Sequence, residues 1–577
     1  MSVTPPNLRP YQRETVDAVI AARKSGVRRM LVCLPTGSGK TVIFSHLARL
    51  ARKQVLVLAH REELLGQAKQ KIEQALGGAA AVAIERGADR APADARVLVC
   101  SIRSLHEERL AKVIRGRDLG LIIYDECHHA AAEDNRRVLT QLGAFEPDWQ
   151  GTLLGFTATP ARGDGQGLDD IFERIVYART LPEMIKDGYL CPLRGFRVTT
   201  AEDLSHLSGS GLDFREEELA LAVDVEERNA LVARSIQELA RDRRTLAFCV
   251  TVAHARNLCK ALNHLGVRAG IVHGTLPSDQ RAQALSDFRS GITTALTNVA
   301  VLTEGFDDPG VSCIAMARPT RSPGLYAQCV GRGTRLHPGK RDCLILDFVD
   351  VSRLSLCTLP SLYGMPRDLN LLGEDAAKAR HIWDQLQFDA PGFEVEAGEI
   401  TLSRIQELAR NFDPLTLRTD GEVRAISANA WVSLGRPGLA LHFHKKPGRI
   451  CEVLVLQRGA RGRKWEVSMD GKAMERFSTL EEAVQAVDYE VMALGPSAAS
   501  SAREDAGWRR GPVPPEMISA QEARGKRPAN LGDALRLAAF ERVIAGLVGN
   551  RRGTSRATSN PGNRSDDSSR GTSGLQG

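Results

Sequence analysis

The stretch LPTGSGKTVIF, residues 34–44, places two glycines, a lysine and a threonine between an apolar run and an apolar helical pattern. Upstream, RRMLVCL (28–34) reads as a buried strand; downstream, Val42, Ile43, Leu47, Leu50 and Ala51 fall at helical spacing. Glycines keep side chains out of the turn, so the N–H groups of Gly37, Ser38, Gly39 and Lys40 can curl round an anion. The N-terminus of the following helix adds partial positive charge. Strand, glycine-rich turn and helix together make a phosphate-binding loop. Pro35, Thr36, Gly37, Ser38, Gly39, Lys40 and Thr41 are the expected ATP cradle, with Lys40 at the β- and γ-phosphates and the Thr41 hydroxyl on Mg²⁺.

A second constellation stands further on. DECHH (125–129) closes the apolar run LIIYD (121–125), and a parallel sheet presents its chemistry at such strand ends. There Asp125 can hold Mg²⁺ through water, and Glu126 can orient and deprotonate the attacking water. His128 and His129 are adjacent and so point apart, and no Cys-x-x-Cys accompanies them, so zinc is not expected.

Strand-like runs at 28–34, 55–59, 97–101, 121–125 and 152–157 alternate with helical patterns, which predicts a parallel sheet covered on both faces. A second such series follows from residue 244: RTLAFCV, AGIVHG, ITTALTNV, VSCIAMA and DCLILDFV. The expected division is a first α/β domain over 1–195, a linker over 196–230 and a second α/β domain over 231–356. An accessory α+β region over 357–500 and a segment 501–577, a helix and then a disordered basic tail beginning near 545, complete it.

Composition agrees with an ordinary multidomain chain: 577 residues, 43% hydrophobic and 25% charged. The net charge of +7 permits nucleic-acid binding without requiring it. No apolar run approaches the ~18 residues of a membrane span, and the eleven cysteines are scattered, so a cytoplasmic protein with reduced thiols is expected.

With these elements in place the ordered motifs resemble a superfamily 2 DExH-box helicase or translocase over residues 8–350. LRPYQ (8–12) resembles the adenine-reading element, with Gln12 on the base edge, and AHREELLGQA (59–68) and SIRSL (101–105) resemble backbone-contacting motifs. FTATP (156–160) resembles the coupling motif and FCVTVAHA (248–255) a motif of the second domain. TNVAVLTEGFDDP (297–309) matches Gly305 and Asp307 to nucleotide contacts, and QCVGRGTRLHPGK (328–340) matches Gln328, Arg332 and Arg335 to the catalytic glutamine and arginines. The resemblance implies two tandem RecA-like domains that close on ATP and Mg²⁺, arginine meeting charge on the transferred phosphoryl group. Its finer features point to the bacterial RadD-like and type III restriction-subunit branch, and thus to DNA rather than RNA. The cysteine-rich zinc element of RadD-like chains has no counterpart here, since only Cys357 and Cys451 follow the motor.

Beyond the motor, Lys445, Lys446, Arg449, Arg458, Arg461, Arg463 and Lys464 punctuate β-prone runs beside Trp465, a pattern that suits phosphate contact and stacking as well as plain solvated loops. The expected activity is ATP-driven nucleic-acid unwinding or translocation in DNA repair, recombination or restriction. The alternatives are a duplex translocase or remodeller that does not unwind, and the motor subunit of a nuclease complex. A nuclease within this chain is not expected, because Asp470-Gly471-Lys472 reads as a hairpin turn.

Overall fold

The computed structural model describes residues 8–59, 62–77, 82–85, 91–92, 94–130, 132–158, 168–205, 207, 209–210, 213–299, 301–302, 306–351, 356–389, 400–410, 421–434, 438–458, 464–522 and 528–556. The chain forms two compact units, Met1–His381 with Ala397–Leu402, and Ile382–Glu396 with Ser403–Gly577.

The first unit holds two parallel sheets. In the first, β1 (Arg29–Cys33), β2 (Gln54–Ala59), β3 (Val82–Glu85), β4 (Val97–Ser101), β5 (Leu119–Asp125), β6 (Thr152–Thr157) and β7 (Arg174–Ala178) stand in the order β3-β4-β2-β5-β6-β1-β7. The central strands are apolar almost throughout because helices cover both faces. Between them run α1 (Pro10–Lys24), α2 (Lys40–Leu50), α3 (Glu62–Leu76), α4 (Glu107–Ile114) and α5 (Glu133–Gln141). The five expected strands are all present. Two more occupy the sheet edges: β3 is short, and β7 is largely solvent-facing, so neither has the apolar run that marks a central strand.

After α6 (Leu181–Lys186) the chain enters the second sheet at β8 (Leu193–Asp203). A small hairpin, β9 (Gly209–Ser210) and β10 (Asp213–Phe214), precedes α7 (Glu216–Val223) and α8 (Glu226–Leu239). Then follow β11 (Thr245–Phe248), α9 (Val252–His264), β12 (Ala269–Val272), α10 (Ser278–Ser290), β13 (Ala295–Asn298), β14 (Cys313–Met316), α11 (Pro323–Gly331) and β15 (Cys343–Val351). The strand order is β12-β13-β11-β14-β15-β8, all parallel.

Residues 196–230 are therefore not a plain linker. β8 pairs with β15 from Leu193↔Cys343 to Asp203↔Val351, and Phe214, Leu219 and Val223 pack with Leu204, Val250 and Val349. Its charged residues disguise β8 because it is an edge strand with half-exposed faces. Residues 357–381 also stay with the motor: Leu359 packs over Gly195, and β16 (Leu369–Asn370) pairs with β17 (Ile400–Thr401).

The second unit is built on an antiparallel sheet of β18 (Val432–Ser433), β19 (Gly438–Lys446), β20 (Arg449–Arg458), β21 (Lys464–Met469) and β22 (Lys472–Phe477), in chain order. Val484, Val487 and Val491 of the helix Leu480–Ala493 cluster with Leu441, Phe443, Val453 and Val455. Ala539, Phe540 and Val543 of the helix Leu531–Arg556 cluster with Leu434, Ala440 and Leu456. That helix runs past residue 545, where the sequence predicts the tail to begin; residues 557–577 lie outside the described residues. Asp470 (φ 49°) and Gly471 (φ 78°) form the expected hairpin turn. No helix among the described residues is long and apolar enough to cross a membrane.

Candidate nucleotide-binding site

β1 delivers the loop 34–39 to the N-terminus of α2. Gly37 (φ 85°) and Gly39 (φ 76°) take the left-handed backbone that a side chain would strain, which turns the loop back on itself. At Gly39 a Cβ would also come within 2.9 Å of Gln12 Nε2. α1 braces the loop from behind: Gln12 Nε2 donates to Ser38 O at 3.4 Å, the Tyr11 hydroxyl donates to the same carbonyl, and Gln12 Oε1 accepts the Arg9 N–H at 3.0 Å. Among the described residues, the buried hydroxyls of Thr36 and Ser38 have no hydrogen-bond partner. Unsatisfied hydroxyls on a glycine-turned loop at a helix N-terminus fit a phosphate chain.

The loop after β5 supplies the acids. Asp125 Oδ1 accepts the Glu126 N–H at 3.1 Å, and Glu126 sits at φ 53°, ψ 47°, a conformation uncommon for a residue with a side chain. That turn aims the Glu126 carboxylate at the phosphate loop, where Oε1 pairs with Lys40 Nζ at 3.1 Å. Lys40 also donates to Leu34 O at 3.4 Å. Burial pushes the Cys33 thiol up to about 11 and the Cys127 thiol well above its usual range, so both thiols flanking the site are inert. Thr41 and Asp125 both line the cavity and offer an all-oxygen donor set that suits Mg²⁺. No cluster of three or more His, Cys, Asp or Glu suited to a metal occurs among the described residues.

The second sheet closes the cavity. Gly331 meets Thr36 so closely that a Cβ there would lie 2.6 Å from the Thr36 Cβ, and Thr334 Oγ1 donates to Thr36 O at 3.5 Å. The Arg332 and Arg335 guanidiniums both donate to Phe306 O, at 2.9 and 3.2 Å, and Arg335 Nε pairs with Asp307 Oδ1 at 3.0 Å. Burial lowers the Arg335 guanidinium from its usual value while Asp307 and Asp308 oppose that shift. His128 bridges the halves: Nδ1 lies 3.5 Å from Glu126 Oε2 and Nε2 lies 3.4 Å from Gln328 Nε2. The tautomer protonated on Nδ1 accepts the Gln328 amide N–H at Nε2 and donates from Nδ1 to the Thr157 hydroxyl at 3.5 Å.

The resulting cavity of about 520 Å³ is lined by Thr36, Gly37, Gly39, Lys40, Thr41, Asp125, Glu126, Asp307, Arg332 and Arg335. Pro35, Ser38 and Gln12 stand behind this lining, and Gln328 reaches it through His128. Gly305 lies outside the described residues, as do Arg461 and Arg463 of the accessory region. The sequence reading passed over Arg9 and Tyr189, which also line the cavity. Arg9 donates to Tyr189 O at 3.4 Å, and the Tyr11 and Tyr189 rings lie 4.6 Å apart. Tertiary packing brings Tyr189 here from the loop that follows α6.

In the second unit Lys445, Lys446 and Arg449 are exposed around the turn between β19 and β20. Trp465 is half-buried, packed against the core cluster that includes Val484 and Val487 of the helix Leu480–Ala493.

Two tandem parallel-sheet domains with these motifs meeting on one cavity define a superfamily 2 helicase. The type III restriction enzyme res subunit family matches residues 6–162, and the helicase conserved C-terminal domain family matches residues 227–337. A Schizosaccharomyces pombe protein provisionally named mitochondrial ATP-dependent helicase irc3 is 34% identical over 447 residues, 76% of this chain and 73% of its own length. Saccharomyces cerevisiae IRC3, provisionally named an ATP-dependent helicase, is 33% identical over 377 residues, 63% of this chain and 54% of its own length. The EcoAI type I restriction endonuclease subunit of Escherichia coli is 28% identical over 377 residues, 60% of this chain and 46% of its own length. The chain belongs to the DExH helicases of the type III restriction-subunit branch and is an ATP-dependent, nucleic-acid-stimulated motor.

Proposed function

We propose that this motor acts on DNA, uses Mg²⁺ with ATP, and hydrolyses ATP when Arg332 and Arg335 approach the phosphates held by the loop 34–41. The observation that carries the reading is the single cavity walled by Lys40, Asp125 and Glu126 on one side and Asp307, Arg332 and Arg335 on the other. DNA is supported by the matched restriction-subunit family, by the relative named as a restriction endonuclease subunit, and by the exposed Lys445, Lys446 and Arg449. All eleven cysteines are free, which supports a reducing compartment such as the cytoplasm.

The partners seen here define what must change for turnover. Lys40 and Glu126 neutralise one another, so Lys40 must turn to the β- and γ-phosphates, which frees Glu126 to orient a water and take its proton. Water attacks the γ-phosphorus as the bond to ADP breaks. Thr41 and Asp125 would hold Mg²⁺, Asp125 through water, and the ion would supply charge to the phosphates when bound. Arg335 must leave Asp307 to meet the developing charge, and the Gly331–Thr36 contact lets the halves close far enough for it to do so. Each cycle thereby moves one strand-gripping surface against the other.

Paired measurements test this reading. Lys40→Ala is expected to lose ATP binding, and Glu126→Gln to bind ATP yet scarcely hydrolyse it; equal turnover in both and in the wild type would sink the site. Strand-displacement and triplex-displacement assays run side by side separate unwinding from duplex translocation. RNA-stimulated ATPase that exceeds the DNA-stimulated rate would defeat the DNA assignment.

A further inference from the structure

Downstream of the two arginines the chain runs LHPGK, residues 336–340, and the last of these side chains turns back under the loop it has just left. Lys340 Nζ donates to three carbonyls: Gly333 O at 2.5 Å, Arg335 O at 2.9 Å and Pro309 O at 3.4 Å. The first two belong to the segment that carries Arg332 and Arg335. The third belongs to the loop that carries Asp307 and Asp308. One ammonium therefore ties the arginine segment to the loop on which the Arg335 guanidinium rests, and it is half-buried where it does so. Three rotatable donors on a compact cation suit three convergent carbonyls, whereas a planar guanidinium would not.

Both loops are held from other directions as well. Arg244 grips the Asp307–Pro309 loop through Asp308, at 2.9 and 3.2 Å, and through Gly310 O at 3.2 Å. The Arg335 segment is seated against the sheet: a Cβ on Gly333 would lie 2.3 Å from Cys343 Sγ, and Cys191 N donates to Thr334 O at 2.7 Å. Lys340 itself lines a separate cleft beside Arg243, Arg244 and Asp342, and the nucleotide cavity has other residues in its wall. It has no route to the phosphates except through the backbone it holds.

We propose that Lys340 is a positioning residue for Arg335, fixing the backbone from which the guanidinium swings between Asp307 and the γ-phosphate. The inference rests on the reading of Arg335 as the arginine that meets the transferred phosphoryl group. A residue of this kind acts on the transition state and leaves the ground-state nucleotide contacts intact, so its loss lowers kcat without raising KM.

The test uses the full chain with saturating DNA and measures steady-state ATPase for wild type, Lys340→Met, Lys340→Gln, Arg335→Ala and the double variant Lys340→Met/Arg335→Ala. Lys340→Met keeps the stem and removes every donor; it is expected to lower kcat by about 10²-fold, the scale of an ångström-sized misplacement, with KM for ATP within about twofold. Lys340→Gln, with two amide donors, is expected to lie between it and wild type. The double variant is expected to be no slower than Arg335→Ala, since the guanidinium that Lys340 is proposed to position is already gone.

Wild-type kcat in Lys340→Met, or losses that multiply in the double variant, would overturn the proposal while leaving the Arg335 reading intact. Full activity in Arg335→Ala would overturn both. A raised KM in parallel with kcat would make Lys340 a brace of the fold, and overturn the proposal too. If Lys340→Met does not fold, Lys340→Gln carries the same comparison: a normal kcat there, or a loss that multiplies with that of Arg335→Ala, is equally fatal.

Discussion

The two walls of the nucleotide cavity present their charges in different ways. On the first wall the polar groups converge on the cavity: a loop bent by two left-handed glycines, two buried hydroxyls, and a buried Lys40–Glu126 pair. On the second, Arg332 and Arg335 are engaged with Phe306 O, and Arg335 with Asp307 in addition. On the proposed reading, one wall is organised to bind, and the other is held back from the chemistry until something moves it. Affinity and rate should therefore separate cleanly between the two halves of the motor.

The strongest way to break this contrast is substitution of the two groups proposed to act on the transferred phosphoryl group. Arg335→Ala and Glu126→Gln are each expected to cost on the order of 10³-fold in DNA-stimulated turnover while binding ATP near normally, as phosphate release and nucleotide titration would show. Loss of ATP binding in Arg335→Ala would mean that the second wall binds as well.

Gly331→Ala should come next. A methyl 2.6 Å from the Thr36 Cβ must push the walls apart, and a cost of about 10²-fold in kcat is expected from misplacement on that scale. An unchanged kcat would show that turnover does not need this contact.

Asp307→Asn works in the opposite direction. It removes the charge that holds Arg335 Nε at 3.0 Å, so the ATPase rate without nucleic acid is expected to rise about threefold, a free-energy change of the size of one exposed ion pair. A fall in the unstimulated rate would make Asp307 a direct nucleotide contact instead.

The smallest effect concerns how α11 is anchored. Asp347 accepts the Tyr326 hydroxyl and the Leu359 N–H, both at 2.7 Å, and burial pushes its carboxyl up to about 6 against those bonds. Because folding raises this pKa, its contribution to stability is complete below about pH 4 and is lost as pH rises through about 6. The stability of wild type relative to Asp347→Asn should thus decline from pH 4 to pH 6 and then level off, which urea unfolding across that range would detect. A gap that does not vary with pH would refute the assignment.

What the sequence made legible follows the same division. The phosphate loop and DECHH were readable because their chemistry demands particular residues side by side, and the central strands because burial on both faces leaves apolar runs. β7 and β8 were hidden by their edge positions, where charged residues are tolerated. The partners of the catalytic groups were beyond reach in one dimension: nothing in the spacing tells that Lys40 rests on Glu126, that Gly331 abuts Thr36 or that Lys340 knits two loops. Trp465 was ambiguous for a related reason, since an aromatic beside arginines looks alike whether it faces solvent or the core, and the structure leaves it half-buried.

Between the last strand of the first sheet and the first strand of the second lie only residues 179–192, part of them helical in α6. Two domains joined by so short a tether meet at an effective concentration in the millimolar range or above, so opening of the cavity never becomes dissociation, and reclosure needs no search through solution. Nucleotide exchange can then be governed by a few weak contacts across the gap, such as Thr334 on Thr36, because the covalent chain has already removed most of the entropy that two separate molecules would lose on meeting.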